Sequence, residues 1–132
     1  MTDTPRRFGV VVGVSDFAPS EQISQIPFAT KDAAKVYETL RDECGFSTKR
    51  LKLLASTKPD DIDGGIEAPT RPNILNALKY AAETAGEDDL ILLFVASHGV
   101  EISSVPYLLT ADTRMNVVKE TAIDTTEINE IL

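Results

Sequence analysis

The chain has 132 residues, 42% of them hydrophobic and 26% charged, the balance of one globular domain with its own core rather than of a disordered segment. A formal net charge of −8 repels phosphate backbones and anionic headgroups, which argues against nucleic acid and membrane surfaces as partners. No stretch reaches the ~20 apolar residues that span a bilayer, the apolar run after Arg6-Arg7 is too short for a signal peptide, and one cysteine forms no internal disulfide, so the expected setting is reducing and cytoplasmic.

Phe8 to Val14 is a short continuous apolar run, the pattern of a strand buried on both faces. Ser15 to Pro27, with Pro19 and Pro27, reads as a loop. In "FATKDAAKVYETLRDECGF" the residues Ala33, Val36, Tyr37, Leu40 and Cys44 fall on one helical stripe, with Thr30 as cap and Gly45 placed to end the helix. "RLKLLA" is a second strand, and residues 56–69 form an acidic loop around "DDIDGG". "TRPNILNALKYAAETAG" is a second helix, capped by Thr70, with Pro72 in its first turn and Gly86 as its stop.

Leu90 to Ala96 is a third strand, "VPYLLTAD" a further short strand, and "DTTEINEIL" the start of a third helix. Asp124 is placed to cap that helix, with Glu127 reaching back to it. The alternation predicts an α/β fold, a mainly parallel sheet with helices on both faces, in a single domain over residues 1–132. The apolar stripe of the last helix is still running at Leu132. The expectation is therefore a truncated or processed part of a longer protein.

His98 is the only histidine, and it sits where the third strand ends, in "LILLFVASHGV". Ligands of open α/β sheets bind beyond the carboxyl ends of the strands, and Gly99 allows close backbone approach there. An inert core histidine is the alternative, but that reading suits a position inside an apolar face better than a strand terminus beside Ser97 and Gly99.

These pieces, in this order, resemble the caspase-like cysteine peptidases, the superfamily of caspases, metacaspases and orthocaspases. "RFGVVVGVSDF" is similar to the family's first strand, and "FATKDAAKVYETLRDECGF" to its first helix, with the pair Asp32-Ala33 and the closing Gly45-Phe46. "TRPNILNALKYAAETAGEDDLILLFVASHGV" resembles the helix, acidic turn and strand that lead to a catalytic Ser-His-Gly; "PYLLTAD" and "TTEINEIL" resemble the strand and helix that follow.

The resemblance implies a three-layer caspase-like large-subunit segment of a cysteine endopeptidase. His98 would act as general base and acid, and the Gly99 N–H would donate to the oxyanion. Both roles are physically apt, since an imidazole titrates near neutral pH and a thiolate is a strong nucleophile. No cofactor is expected. The partners implied are a peptide or protein substrate and the remaining C-terminal part of the same polypeptide.

The family's nucleophilic cysteine lies about 50 residues after the histidine, which falls past Leu132, so no nucleophile is expected in this chain and the chain alone should be inactive. Cys44 precedes His98, and it stands at the negative end of a helix dipole beside Asp42 and Glu43, where a thiolate is disfavoured. It reads as helix packing. Asp60, Asp61 and Asp63 lack the spacing of a calcium loop, although some metacaspases depend on calcium. Asp16 and Asp112 read as turn residues, and Glu87, Asp88 and Asp89 as a solvated turn.

"SQIPFAT", just before Asp32, holds no arginine where a caspase would supply one for its aspartate pocket. This points to the branch that cuts after Arg or Lys. Two other readings use the same pattern: a non-catalytic caspase-like scaffold or regulator, and a flavodoxin-like binding domain with its first strand away from the third.

Overall fold

The computed structural model describes residues 4–58, 62 and 66–132. Strands β1 (Arg7–Gly13), β2 (Leu51–Ala55) and β3 (Leu90–Ala96) form a parallel sheet in the order β2-β1-β3. β1 is central and buried on both faces, as its unbroken apolar run requires. Val10, Val12 and Val14 meet Leu54, Leu93 and Val95 on one face, while Val11 meets Leu53, Leu92 and Phe94 on the other.

Helix α1 (Ala29–Asp42) covers the Val11 face through Ala33, Ala34, Tyr37 and Leu40; helix α2 (Arg71–Thr84) covers the opposite face through Ile74, Leu75, Ala77 and Leu78. The expected α/β architecture with helices on both faces is therefore present. β1 approaches the start of α1 so closely that a Cβ on Gly13 would lie 2.6 Å from the Ala29 carbonyl oxygen and 2.7 Å from the Ala33 Cβ. That contact sets the amino end of α1 against the carboxyl end of the sheet.

The helix ends differ in detail from the sequence reading. α1 starts at Ala29, so Thr30 lies inside it; the Thr30 N–H is capped instead by the Ser15 hydroxyl, 2.9 Å away, from the loop after β1. Gly45 does take the left-handed conformation, φ 73°. Cys44 is exposed rather than packed under the helix. Thr70 caps α2 by accepting from Asn73 N–H, but α2 closes on an extended Ala85 and Gly86 needs no positive φ.

After β3 the chain builds a second, antiparallel sheet, where the sequence suggested only one strand. β4 (Gly99–Ile102) and β5 (Val105–Leu108) form a hairpin, and β6 (Ile123–Asp124) joins β5. A short α3 (Val118–Thr121) precedes β6, and α4 (Thr125–Ile131) follows it. Asp124 caps α4 as expected, accepting from Thr126 N–H at 2.7 Å. Glu127 does not reach back; it pairs with the Arg71 guanidinium at the start of α2, which offers a full opposite charge in place of one backbone N–H.

β1 lies beside β3, contrary to the strand order expected of the flavodoxin-like alternative. Because doubly wound sheets also occur with a 2-1-3 order, the separate β4-β5-β6 sheet is the more telling departure from that fold. The other edge of β3 has no strand partner among the described residues, although its sequence, LILLFVA, is apolar throughout. Among the described residues no helix is long and apolar enough to cross a membrane.

Candidate active site

His98 follows the carboxyl end of β3 and is half-buried, neither sealed in the core nor fully in solvent. The chain on either side of it is tied to the end of β5. Ser97 Oγ donates to the Leu109 carbonyl at 2.6 Å, and the Leu109 N–H donates to the His98 carbonyl at 2.9 Å.

The ring is positioned by the loop between β1 and α1. His98 Nε2 lies 2.7 Å from the Ser24 carbonyl oxygen. A carbonyl only accepts, so Nε2 carries the proton, and in the neutral ring Nδ1 keeps its lone pair. Phe17 packs against the imidazole, ring centroids 5.6 Å apart and planes tilted by 38°.

The loop is fixed at several points. Ser56 Oγ accepts from the N–H groups of Ser15 and Asp16 at 2.9 and 3.1 Å. Gln25 closes a two-way bond with the Phe17 backbone: its Oε1 accepts from Phe17 N–H at 2.8 Å and its Nε2 donates to the Phe17 carbonyl at 3.3 Å. Ile26 N–H donates to the Ser15 carbonyl at 2.9 Å. Further along, Glu21 Oε1 accepts from Met115 N–H at 2.6 Å, and the Glu21 carboxylate faces Arg114 at 3.6 Å. Ser24, which precedes Gln25, is thereby held over the ring.

Gly99 opens β4, opposite Leu108. Because the Leu109 N–H donates to the His98 carbonyl, Gly99 and Leu108 form a non-hydrogen-bonded pair, whose N–H groups point away from the partner strand. β4 is the outer strand of its sheet, so the Gly99 N–H stands on the side of β4 that has no strand partner among the described residues. Its Cβ position has ordinary room, 3.4 Å from the Tyr107 carbonyl oxygen. The glycine is thus not required for packing at that atom.

Cys44 lies at the other end of the molecule. α1 runs back from the carboxyl end of β1, and its 14 residues span ~21 Å. Gly45, next to Cys44, sits against the Arg7 guanidinium at the beginning of β1. Cys44 and His98 are consequently separated by the depth of the sheet.

The acidic residues sort differently. Asp112 is structural, accepting from the Arg71 N–H at 2.9 Å and from Thr110 Oγ1 at 2.6 Å, and so ties the turn after β5 to the start of α2. Asp16 is exposed just beyond β1, and Asp32 is exposed in the first turn of α1. Asp89 is more than a solvated turn residue. It accepts from Gly86 N–H at 2.8 Å and from Arg6 N–H at 2.7 Å, and pairs with the Arg6 guanidinium. Those bonds, the Gly86 amide foremost, hold its carboxyl below the usual carboxylate range. Asp60, Asp61 and Asp63 lie outside the described residues.

The sequence marks His98 and Gly99 but not Ser24, whose contribution is a backbone carbonyl that any residue carries. Phe17 left a faint trace, an aromatic just past the first strand in a segment otherwise read as loop.

Comparison with known proteins gives a consistent result. The family described as Caspase domain matches residues 6–131. Metacaspase-1B of Aspergillus terreus is 25% identical over 96 residues, covering 73% of this chain and 24% of that protein. Metacaspase-1 of Saccharomyces cerevisiae is 24% identical over 96 residues, covering 73% and 21%. A crystal structure of a protein from Geobacter sulfurreducens superposes with a TM-score of 0.72 at 17% identity, covering 97% of this chain and 45% of that one. The chain thus spans about a quarter or less of the curated relatives it matches.

Proposed function

The chain belongs to the caspase-domain family, and from that premise we propose that it carries the imidazole half of a cysteine endopeptidase centre. His98 is the general base and acid, Gly99 supplies a backbone donor for the oxyanion, and the nucleophilic cysteine is carried on polypeptide beyond Leu132. The observation that supports this most strongly is the bond between His98 Nε2 and the Ser24 carbonyl. It orients the ring and leaves Nδ1 as the basic atom.

The chemistry follows from that tautomer. Nδ1 takes the thiol proton, the thiolate attacks the scissile carbonyl, and the developing oxyanion accepts from the Gly99 N–H. The proton then passes from Nδ1 to the leaving amine, which departs and leaves a thioester on the cysteine. Water, deprotonated at the same nitrogen, hydrolyses the thioester and restores the thiol. The Ser24 carbonyl stabilises the imidazolium at its peak charge.

The edge of β3 that has no strand partner among the described residues supports a further strand from outside residues 1–132, which is where a nucleophile reaching His98 would enter. Asp16 and Asp32, exposed at the carboxyl end of the sheet, favour a cationic side chain nearby and so support cleavage after Arg or Lys.

The test is hydrolysis of Arg- and Lys-ended fluorogenic peptides by the polypeptide that includes the sequence after Leu132. His98→Ala is expected to lower kcat/KM by about a hundredfold to ten-thousandfold, while the 132-residue chain alone shows no turnover. Full activity in His98→Ala would remove the imidazole from the mechanism. A downstream sequence without any cysteine would leave the chain a caspase-like scaffold.

A further inference from the structure

We infer that Gln25 is a positioning residue for the His98 imidazole: its side-chain amide ties together the two groups that hold the ring, and thereby sets the tautomer. The inference rests on the role proposed for His98. Two contacts define the ring, the Ser24 carbonyl 2.7 Å from Nε2 and the Phe17 side chain packed against the imidazole. They come from separate stretches of the loop between β1 and α1, and the Gln25 side chain is the hydrogen-bonded link between those stretches. Its Oε1 accepts from Phe17 N–H at 2.8 Å, and its Nε2 donates to the Phe17 carbonyl at 3.3 Å.

The residue type follows from the task. Meeting the N–H and the C=O of one residue at once takes an acceptor and a donor on the same group, which a carboxamide has and a carboxylate or an ammonium lacks. Phe17 is 4% exposed and belongs to the hydrophobic core, so it is the fixed reference. The Ser24 carbonyl and the Gln25 nitrogen belong to one planar peptide unit. Holding Gln25 against Phe17 therefore aims the Ser24 carbonyl at the ring.

The other restraints on the loop act differently. Ile23 and Ile26 pack against the core that contains Phe17, but apolar packing is non-directional; it fixes the depth of the segment and not the aim of a carbonyl. Glu21 on Met115 N–H and Ile26 N–H on the Ser15 carbonyl bracket the Ser24–Gln25 peptide without fixing its plane. Among the described residues the main chain of Ile23, Ser24 and Gln25 makes no hydrogen bond besides the one to His98. Gln25 is itself exposed, so its replacement disturbs no core packing.

The experiment follows the ¹⁵N shifts of the ring nitrogens at a pH where the imidazole is neutral, with His98 as the single histidine reporter. In the unsubstituted chain Nδ1 and Nε2 should be well separated, with the proton on Nε2. Gln25→Met keeps the length of the side chain and removes both hydrogen bonds. It should draw the two shifts together as the ring averages between tautomers, and Gln25→Ala should do the same, with circular dichroism unchanged in both. Asp89→Asn, which weakens the fold from the amino end of β3, should leave the shifts apart. In the polypeptide that includes the sequence after Leu132, Gln25→Met should lower kcat about tenfold with KM little changed, because the amide acts on the ring rather than on substrate. Unchanged shifts in folded Gln25→Met and Gln25→Ala, an equal change in Asp89→Asn, or a rise in KM at constant kcat would each overturn the assignment while His98 keeps its proposed role. A proton on Nδ1 in the unsubstituted chain would instead overturn the reading of His98, and this inference with it.

Discussion

Several residues hold the site in place through bonds their own position in the sequence does not announce. Ser15 is buried, and its hydroxyl both caps Thr30 N–H at 2.9 Å and meets Thr30 Oγ1 at 2.7 Å. Ser15→Ala removes a cap and leaves a buried hydroxyl and N–H unmet, so the folded state should lose about 1–2 kcal/mol in denaturant unfolding. Asp89, just before the amino end of β3 and away from His98, gives a pH-dependent counterpart that concerns the fold rather than the site. Its carboxyl titrates lower in the folded chain than in the unfolded one, so its contribution is fully present above the ordinary carboxylate value and disappears as pH falls through the depressed one. Asp89→Asn should therefore lower Tm at neutral pH and show a shallower decline on acidification than the parent; identical slopes would contradict the linkage. Both residues were visible in the sequence only as loop and turn. Their partners, Thr30 and Ser56 for Ser15 and Arg6 for Asp89, are far away along the chain, and no local periodicity encodes such pairings.

Elements were legible in proportion to how strongly they alternate or stripe. β1, β3 and α2 carry long apolar patterns, and the structure places them close to the boundaries expected from sequence. The β4–β5 hairpin escaped because its turn lacks the usual signal. Ser103 and Ser104 both take positive φ, 52° and 67°, the requirement of a two-residue type I′ turn, where Asn-Gly is the familiar pair. Serine adopts that conformation at a cost, and the cross-strand pair Ile102–Val105 and its neighbours hold it there. Replacing Ser103-Ser104 by Asn-Gly should stabilise the chain by about 1 kcal/mol, measurable as a higher denaturant midpoint at unchanged m-value. A lower midpoint would mean that the serines serve the hairpin in some way other than through backbone conformation. The carboxyl end of α1 illustrates a different limit. The stripe through Cys44 continues in sequence past the point where the helix ends, so periodicity alone overextended it and buried a cysteine that is in fact exposed.

Taken together, the fold performs one positioning task. A parallel sheet delivers His98 to its carboxyl end, the tight contact of Gly13 with α1 turns the intervening loop back over that end, and the loop presents the Ser24 carbonyl to the ring. The strand-end histidine was readable because topology dictates where ligands meet such sheets; the carbonyl that selects its tautomer was not, because backbone atoms carry no sequence signature. That tautomer can be observed without any peptidase assay. His98 is the only histidine, so a long-range nitrogen–proton NMR spectrum of the chain labelled with ¹⁵N-histidine reports this ring alone. At a pH where the ring is neutral, Nε2 should carry the proton and Nδ1 should appear as the unprotonated nitrogen. A ring protonated at Nδ1, or one averaging freely between the two tautomers, would contradict the arrangement on which the proposed chemistry rests.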